Sequence, residues 1–197
     1  MAGHFEPVPG GGAAVALDEV EISILRSLAV QLLELIGPGP GGAEAGDDPL
    51  AELFAEGPSE PPSDPVLLRL FPDAYGDPEA VPDEQLREFS AEFRRFTEND
   101  LRAGKRENAL AMVRSLDTLT VGGESGAVLK LSPDECRQWL GTLNDLRLAL
   151  AARLDVIAEE DAELLYRLPD TDPRKPMVMA YLWLGGLQES LVETLMS

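Results

Sequence analysis

At two places along the chain a short apolar run gives way to helical spacing, and the two places look alike. Ala14-Val15-Ala16-Leu17 runs into Asp18, with Glu21 three residues later; Val128-Leu129-Lys130-Leu131 runs into Ser132, Pro133 and Glu135. In each, an Asp or Ser at the helix start and a carboxylate three residues on satisfy amides that would otherwise lack partners, and Pro suits the first helical position because its amide hydrogen is not needed there. Laying Leu17 on Leu131 aligns the two segments at an offset of 114 residues, which implies a duplicated strand–helix unit. Strands this short are not stable alone, so they are expected to pair as a small two-stranded β-ribbon against the helices.

The helix that follows the first run, residues 18–36, carries apolar side chains on nearly every side and is expected to be buried centrally; Gly37-Pro38 ends it. From residue 37 to 62, six Gly and six Pro among 26 residues predict a flexible insert, interrupted by one amphipathic piece through Leu50, Leu53 and Phe54. That piece reads either as a docking peptide or as a turn of helix resting on the core. Asp64-Pro65 opens a short helix through Leu67, Leu68, Leu70 and Phe71. A longer one begins near residues 82–84, where Leu86, Phe89, Phe93 and Phe96 recur at spacings of three, four and three and predict one buried stripe. The apolar pattern thins over 97–104 and Gly104 weakens it, so a break or kink is expected there before Leu110, Val113 and Leu116 resume it. From Ser132 to about residue 155, Trp139, Leu143, Leu146, Leu150 and Leu154 define the clearest amphipathic helix in the chain. Further helices are expected over 157–168 and 174–195. The pattern as a whole predicts a mainly α protein, a helical bundle with a small β-ribbon in a single domain over 1–197.

Composition narrows what such a fold could do. Against 16 Lys and Arg stand 36 Asp and Glu, a net charge of −20, which repels phosphate backbones and anionic lipid. Nucleic acid is therefore expected only as a weak ligand. Residues 83–116 are the exception, with seven basic and seven acidic groups. Within them, 93–106 form a net-positive island through Arg94, Arg95, Arg102, Lys105 and Arg106. These five are the candidates for contact with a partner or a nucleic acid; the plainer reading makes Glu98 and Arg102 an i,i+4 pair on a solvated face.

The single histidine, His4, sits at an N-terminus expected to fray, so no His-based triad or His-rich metal site can be assembled. Gly10-Gly11-Gly12 and Gly122-Gly123 lack the lysine and the strand–helix context of a phosphate loop and read as turns. Glu159, Glu160, Asp161 and Glu163 read as a solvated face. No catalytic residue, cofactor or metal is expected, and the protein is not expected to be an enzyme. Cys136 alone cannot close an intrachain disulfide; it is either a small core residue or a redox-sensitive thiol. The start of the chain lacks the layout of a secretory signal, and the uncharged stretch 176–188 is too short to cross a bilayer, so a cytoplasmic protein with no membrane contact is expected.

Four segments together resemble a known family. They are 15–36, Glu92-Phe93-Arg94-Arg95-Phe96-Thr97-Glu98-Asn99-Asp100-Leu101, the stretch 129–155 with Leu143-Asn144-Asp145-Leu146-Arg147-Leu148-Ala149-Leu150, and the closing 181–195. The chain is similar in these to the actinobacterial AosR-type oxidative-stress regulators, formerly a domain of unknown function. The resemblance implies a transcription-linked regulator of the oxidative-stress response that acts through protein contacts, with a sigma factor or RNA polymerase as partner. A helical adaptor with no link to transcription is the alternative, and a homodimer stays open. With one cysteine, redox sensing here would need an intermolecular bridge or oxidation of a single thiol.

Overall fold

Both capping boxes form. In the computed structural model, which describes residues 3–37, 56–76, 83–119 and 126–196, the Asp18 carboxylate accepts from the Glu21 amide at 2.8 Å while Glu21 accepts from the Asp18 amide at 2.9 Å. They open α1 (Glu19–Ile36). Ser132 and Glu135 make the same reciprocal pair at the start of α4 (Pro133–Arg153). Between these helices lie α2 (Pro65–Leu70), capped by Asp64, and α3 (Glu84–Asp117), capped by Asp83. After them come α5 (Glu159–Tyr166) and α6 (Lys175–Met196).

The expected ribbon is present and gains a third strand: β1 (Glu6–Val8), β2 (Gly12–Leu17) and β3 (Ala127–Leu131) form an antiparallel sheet in the order β1-β2-β3. The register sets Ala13 against Leu131, Val15 against Leu129 and Leu17 against Ala127, so every apolar pair points to the same buried side. The two glycines at the β1–β2 turn, Gly10 and Gly11, take φ of 103° and 86°, which side chains rarely adopt. The N-terminal segment is thereby docked rather than frayed. Phe5 is buried edge-on to Trp139 at 6.0 Å, its amide donates to Ser190 Oγ, and its carbonyl accepts from Thr194 Oγ1.

The core gathers around α4. All five residues of its expected stripe are buried, and Trp139 donates its indole N–H to Ser115 Oγ at 2.9 Å. Helix α4 packs on α3 and α6, and α1 packs on α3. Three expectations are corrected. Helix α1 is not surrounded: Leu25, Ala29, Leu32 and Ile36 face the core while Val20 and Ile24 face outward. Phe89, Phe93 and Phe96 are not a buried stripe but an exposed one, because α3 meets its neighbours through the opposite side, where Ala109, Met112 and Leu116 lie. No break occurs at 97–104 either; α3 runs unbroken for 34 residues. A helical Gly costs only up to about 1 kcal/mol relative to Ala, and side chains on both sides of Gly104 anchor the helix. The piece containing Leu50, Leu53 and Phe54 and the pair Gly122-Gly123 lie outside the described residues.

Trp139 is 1% exposed at the meeting point of α3, α4 and the N-terminal segment. Trp139→Ala is expected to lower stability by about 3–5 kcal/mol in urea titration, and a loss under about 1 kcal/mol would place this ring outside the core.

Candidate interaction site on α3

The apolar side of α3 can be traced backwards from Leu116 through Met112 and Ala109. At the same spacing it reaches Lys105, Arg102, Glu98, Arg94 and Ser90. The N-terminal half of this helix therefore points charges inward. Glu98, 2% exposed, accepts from Arg94 through one carboxylate oxygen and from Arg102 through the other, at 2.9 Å from Nε and 2.7 Å from Nη2. Other guanidinium N–H groups reach helix ends, while Arg94 Nε is buried without a hydrogen-bond partner among the described residues. Arg102 donates to the Ile36 carbonyl at 2.7 Å and Arg106 to the Leu33 carbonyl at 3.2 Å, both at the C-terminus of α1. Arg94 donates to the Phe71 carbonyl at 3.0 Å, just past α2, and to the half-exposed Asp73 at 2.8 Å. The last carbonyls of a helix have no partner within it and carry partial negative charge, so cations from a crossing helix complete them. The Phe71 ring lies 4.4 Å from the Arg102 guanidinium and covers it.

The five basic candidates thus separate. Arg94 and Arg102 lie inside the molecule, so the pair Glu98–Arg102 is present but is buried rather than solvated. Lys105 Nζ meets Asp145 at 2.5 Å. Burial pushes the Asp145 carboxyl above its ordinary range, and the facing ammonium pulls it part of the way back. Arg106 is partly buried at the α1 terminus. Arg95 is partly exposed, 5.1 Å from the Phe96 ring and 3.5 Å from Glu56, with its backbone carbonyl accepting from the Gly57 amide at 2.7 Å.

The outward side of the same helix turn is apolar. Phe89, Phe93 and Phe96 stand 43–62% exposed, and Tyr75 meets the first two edge-on at 6.1 and 6.0 Å. Ser90 fixes Tyr75 through both its amide and its carbonyl, each at 3.2 Å. The four rings and Glu92 line one shallow, open cleft. Clusters of exposed large apolar side chains are uncommon on soluble surfaces and mark contact sites.

Cys136 is on the other side of the molecule, fully buried, with Sγ 3.9 Å from the Leu131 carbonyl. Burial raises its pKa above the ordinary thiol range, and the charge of Glu135 adds to this. The Asp161 carboxylate accepts from the Ile157 and Ala158 amides at 2.9 Å, which holds it below the usual range. His4 is exposed. Among the described residues no group of three or more His, Cys, Asp or Glu is arranged to hold a metal ion, and no helix is long and apolar enough to cross a membrane.

These features define a mainly α protein with a small antiparallel sheet, a buried ionic centre and an exposed aromatic face. The chain belongs to the family described as Domain of unknown function (DUF2017), whose pattern it matches over residues 2–195. It is 32% identical over 185 residues to the Mycobacterium tuberculosis H37Rv protein named oxidative stress regulator AosR, covering 89% of this chain and 78% of that one. It is also 32% identical over 184 residues to a Mycobacterium leprae protein named putative oxidative stress regulator AosR, covering 90% of this chain and 79% of the relative. No solved structure matches it.

Removing the Glu98 carboxylate would leave Arg102 buried without a counter-ion and Arg94 with only the half-exposed Asp73. Glu98→Ala is expected to destabilise by about 3–5 kcal/mol in denaturant titration, whereas the solvated pair Arg137–Asp134 should contribute no more than about 1 kcal/mol.

A second expectation concerns Cys136. Its folded pKa is raised, so its contribution to stability is complete below the ordinary thiol range and is lost as pH rises from that range through the higher folded value. Between about pH 8 and 10, urea midpoints should fall more steeply for the wild type than for Cys136→Ala. The native thiol should also label slowly with a bulky alkylating reagent; prompt native labelling would contradict the buried placement.

Proposed function

We propose that this protein is a regulator of the oxidative-stress response that acts through contacts with other proteins of the transcription apparatus, an alternative sigma factor or RNA polymerase, and that it is not an enzyme. The observation that carries the protein-contact reading is the exposed aromatic cluster of Tyr75, Phe89, Phe93 and Phe96. The stress-response part draws on the mycobacterial relatives named oxidative stress regulators; the link to transcription draws on the family resemblance.

The electrostatics favour a protein partner over DNA. The chain carries a net charge of −20, and Arg94 and Arg102 are committed to Glu98 and to helix ends rather than to a phosphate-binding face. The burial of Cys136 argues that an oxidative signal reaches the protein by way of its partner and not by oxidation of its own thiol.

Purification with reversible crosslinking from its own cells, before and after peroxide treatment, tests this reading. Sigma factor or RNA polymerase enriched in the eluate is the expected outcome, and their absence leaves a helical adaptor unconnected with transcription. The isolated protein should bind duplex DNA no more tightly than about 10⁻⁴–10⁻⁶ M at physiological salt. A salt-resistant nanomolar footprint would overturn the preference for protein contacts.

A further inference from the structure

We propose that the outward stripe of α3, from Phe89 to Leu110, is a docking surface for an amphipathic helix of another protein whose apolar face is flanked by Lys and Arg. The proposal rests on the reading that the protein works through protein contacts, and it names the surface and the chemistry of what binds there.

Three properties of the stripe point to this occupant. Its length is the first: Phe89, Phe93 and Phe96, then Ala103 and Gly104, then Leu110 are exposed along one side of an unbroken helix over about 32 Å at 1.5 Å per residue, with Asp100 and Glu107 set between them. That span matches a partner helix of some 20 residues. The second is relief. At Ala103 and Gly104, between the carboxylates of Asp100 and Glu107, the side chains are small, and a Cβ placed on Gly104 would meet nothing within 4 Å, so a second helix can approach closely there. Tyr75, pinned by Ser90, raises one wall of the cleft at the aromatic end and limits how a bound helix can lie.

The third property is charge, and it selects among occupants. Glu92, Asp100 and Glu107 are exposed on this side of the helix, and none of them makes an ion pair among the described residues. Basic side chains near the stripe include Arg95, which rests on the Phe96 ring and faces Glu56, and Arg114 beyond Leu110. A second copy of this chain fits badly: antiparallel pairing of the stripe with itself sets Asp100 beside Asp100 and Glu92 beside Glu107, between molecules that each carry −20. A helix with Lys or Arg on its flanks meets the same three carboxylates with opposite charge, and the overall negative field speeds its approach. Nucleic acid is disfavoured by those same carboxylates.

The probe is a fluorescein-labelled 20-residue helical peptide with Leu at alternating three- and four-residue spacing and Lys on both flanks, titrated by anisotropy against the full chain. A matched peptide with Glu in place of Lys is the control. The Lys peptide is expected to bind at least tenfold more tightly than the Glu peptide at low salt, with the difference shrinking as salt is raised. Phe93→Ala/Phe96→Ala should weaken the Lys peptide at least tenfold. Asp100→Lys/Glu107→Lys should reverse the preference between the two peptides. All four positions are exposed, so unchanged thermal midpoints certify that the variants fold. Equal binding of the two peptides, or binding that the variants leave untouched, would overturn the proposal. So would a wild-type dimer in sedimentation equilibrium that Phe96→Glu dissolves.

Carrying the same variants into the crosslinked purification separates this inference from the reading beneath it. Recovery of the transcription apparatus by wild type and variants alike would defeat the docking surface and leave the regulator reading standing. Tight, charge-selective peptide binding with no transcription protein in the eluate would do the reverse.

Discussion

Glu98 sits between two arginines of α3, one reaching the end of α1 and the other the residue just past α2, so a single buried carboxylate links three helices. Glu98, with Asp73 on the outer side of Arg94, balances the charges of Arg94 and Arg102, and each guanidinium then has donors left for the carbonyls that end a neighbouring helix. Burying one ion costs several kcal/mol, and burying it without partners costs more. The arrangement is tolerable because nearly all of the charge and most of the hydrogen-bonding capacity is used. The orphan carbonyls of α1 and α2, which would otherwise have to face water, are satisfied by a helix crossing them. An apolar contact would hold these helices together without fixing their ends; the guanidinium geometry fixes both.

The same helix explains the exposed aromatic face. With polar and charged side chains turned inward from Ser90 to Lys105, the large apolar residues of the N-terminal half of α3 are left outward, the inverse of ordinary amphipathic patterning. Leaving three phenylalanines in water is unfavourable for the isolated molecule. Rigidity adds to the picture: Tyr75 is held by Ser90, and the helix beneath is anchored through its buried ions, so the face is shaped before anything meets it. A preformed surface loses less conformational freedom on binding than a loop that must order.

At the far end of the molecule the sheet joins the beginning of the chain to its end. Phe5 lies between Trp139 and the Ser190–Thr194 turn of α6, and β1 extends what would otherwise be a two-stranded ribbon. Cys136 is packed beneath this sheet, where burial keeps it protonated and covered. Its placement belongs to the architecture of the core.

The sequence by itself determined the elements whose signals are local. Capping boxes at Asp18 and Ser132, Pro133 at the first turn, and the short apolar runs 14–17 and 128–131 located where strands end and helices begin. The stripe from Trp139 to Leu154 fixed which side of α4 is inside, because only one of its sides is apolar. What local signals left undecided was the orientation of α3, which carries two candidate faces, one aromatic and one ionic. Spacing alone favours burying the phenylalanines; the line from Leu116 back through Met112, Ala109 and Lys105 to Glu98 was the available sign that the other face goes in. The decision is tertiary because the free energy of burying Arg94, Glu98 and Arg102 depends on partners that are far away in sequence. Those partners, the carbonyls of Ile36 and Phe71, lie 66 and 23 residues from the arginines that reach them. The N-terminal strand was likewise invisible, since three residues pair only when β2 is already held in place by β3.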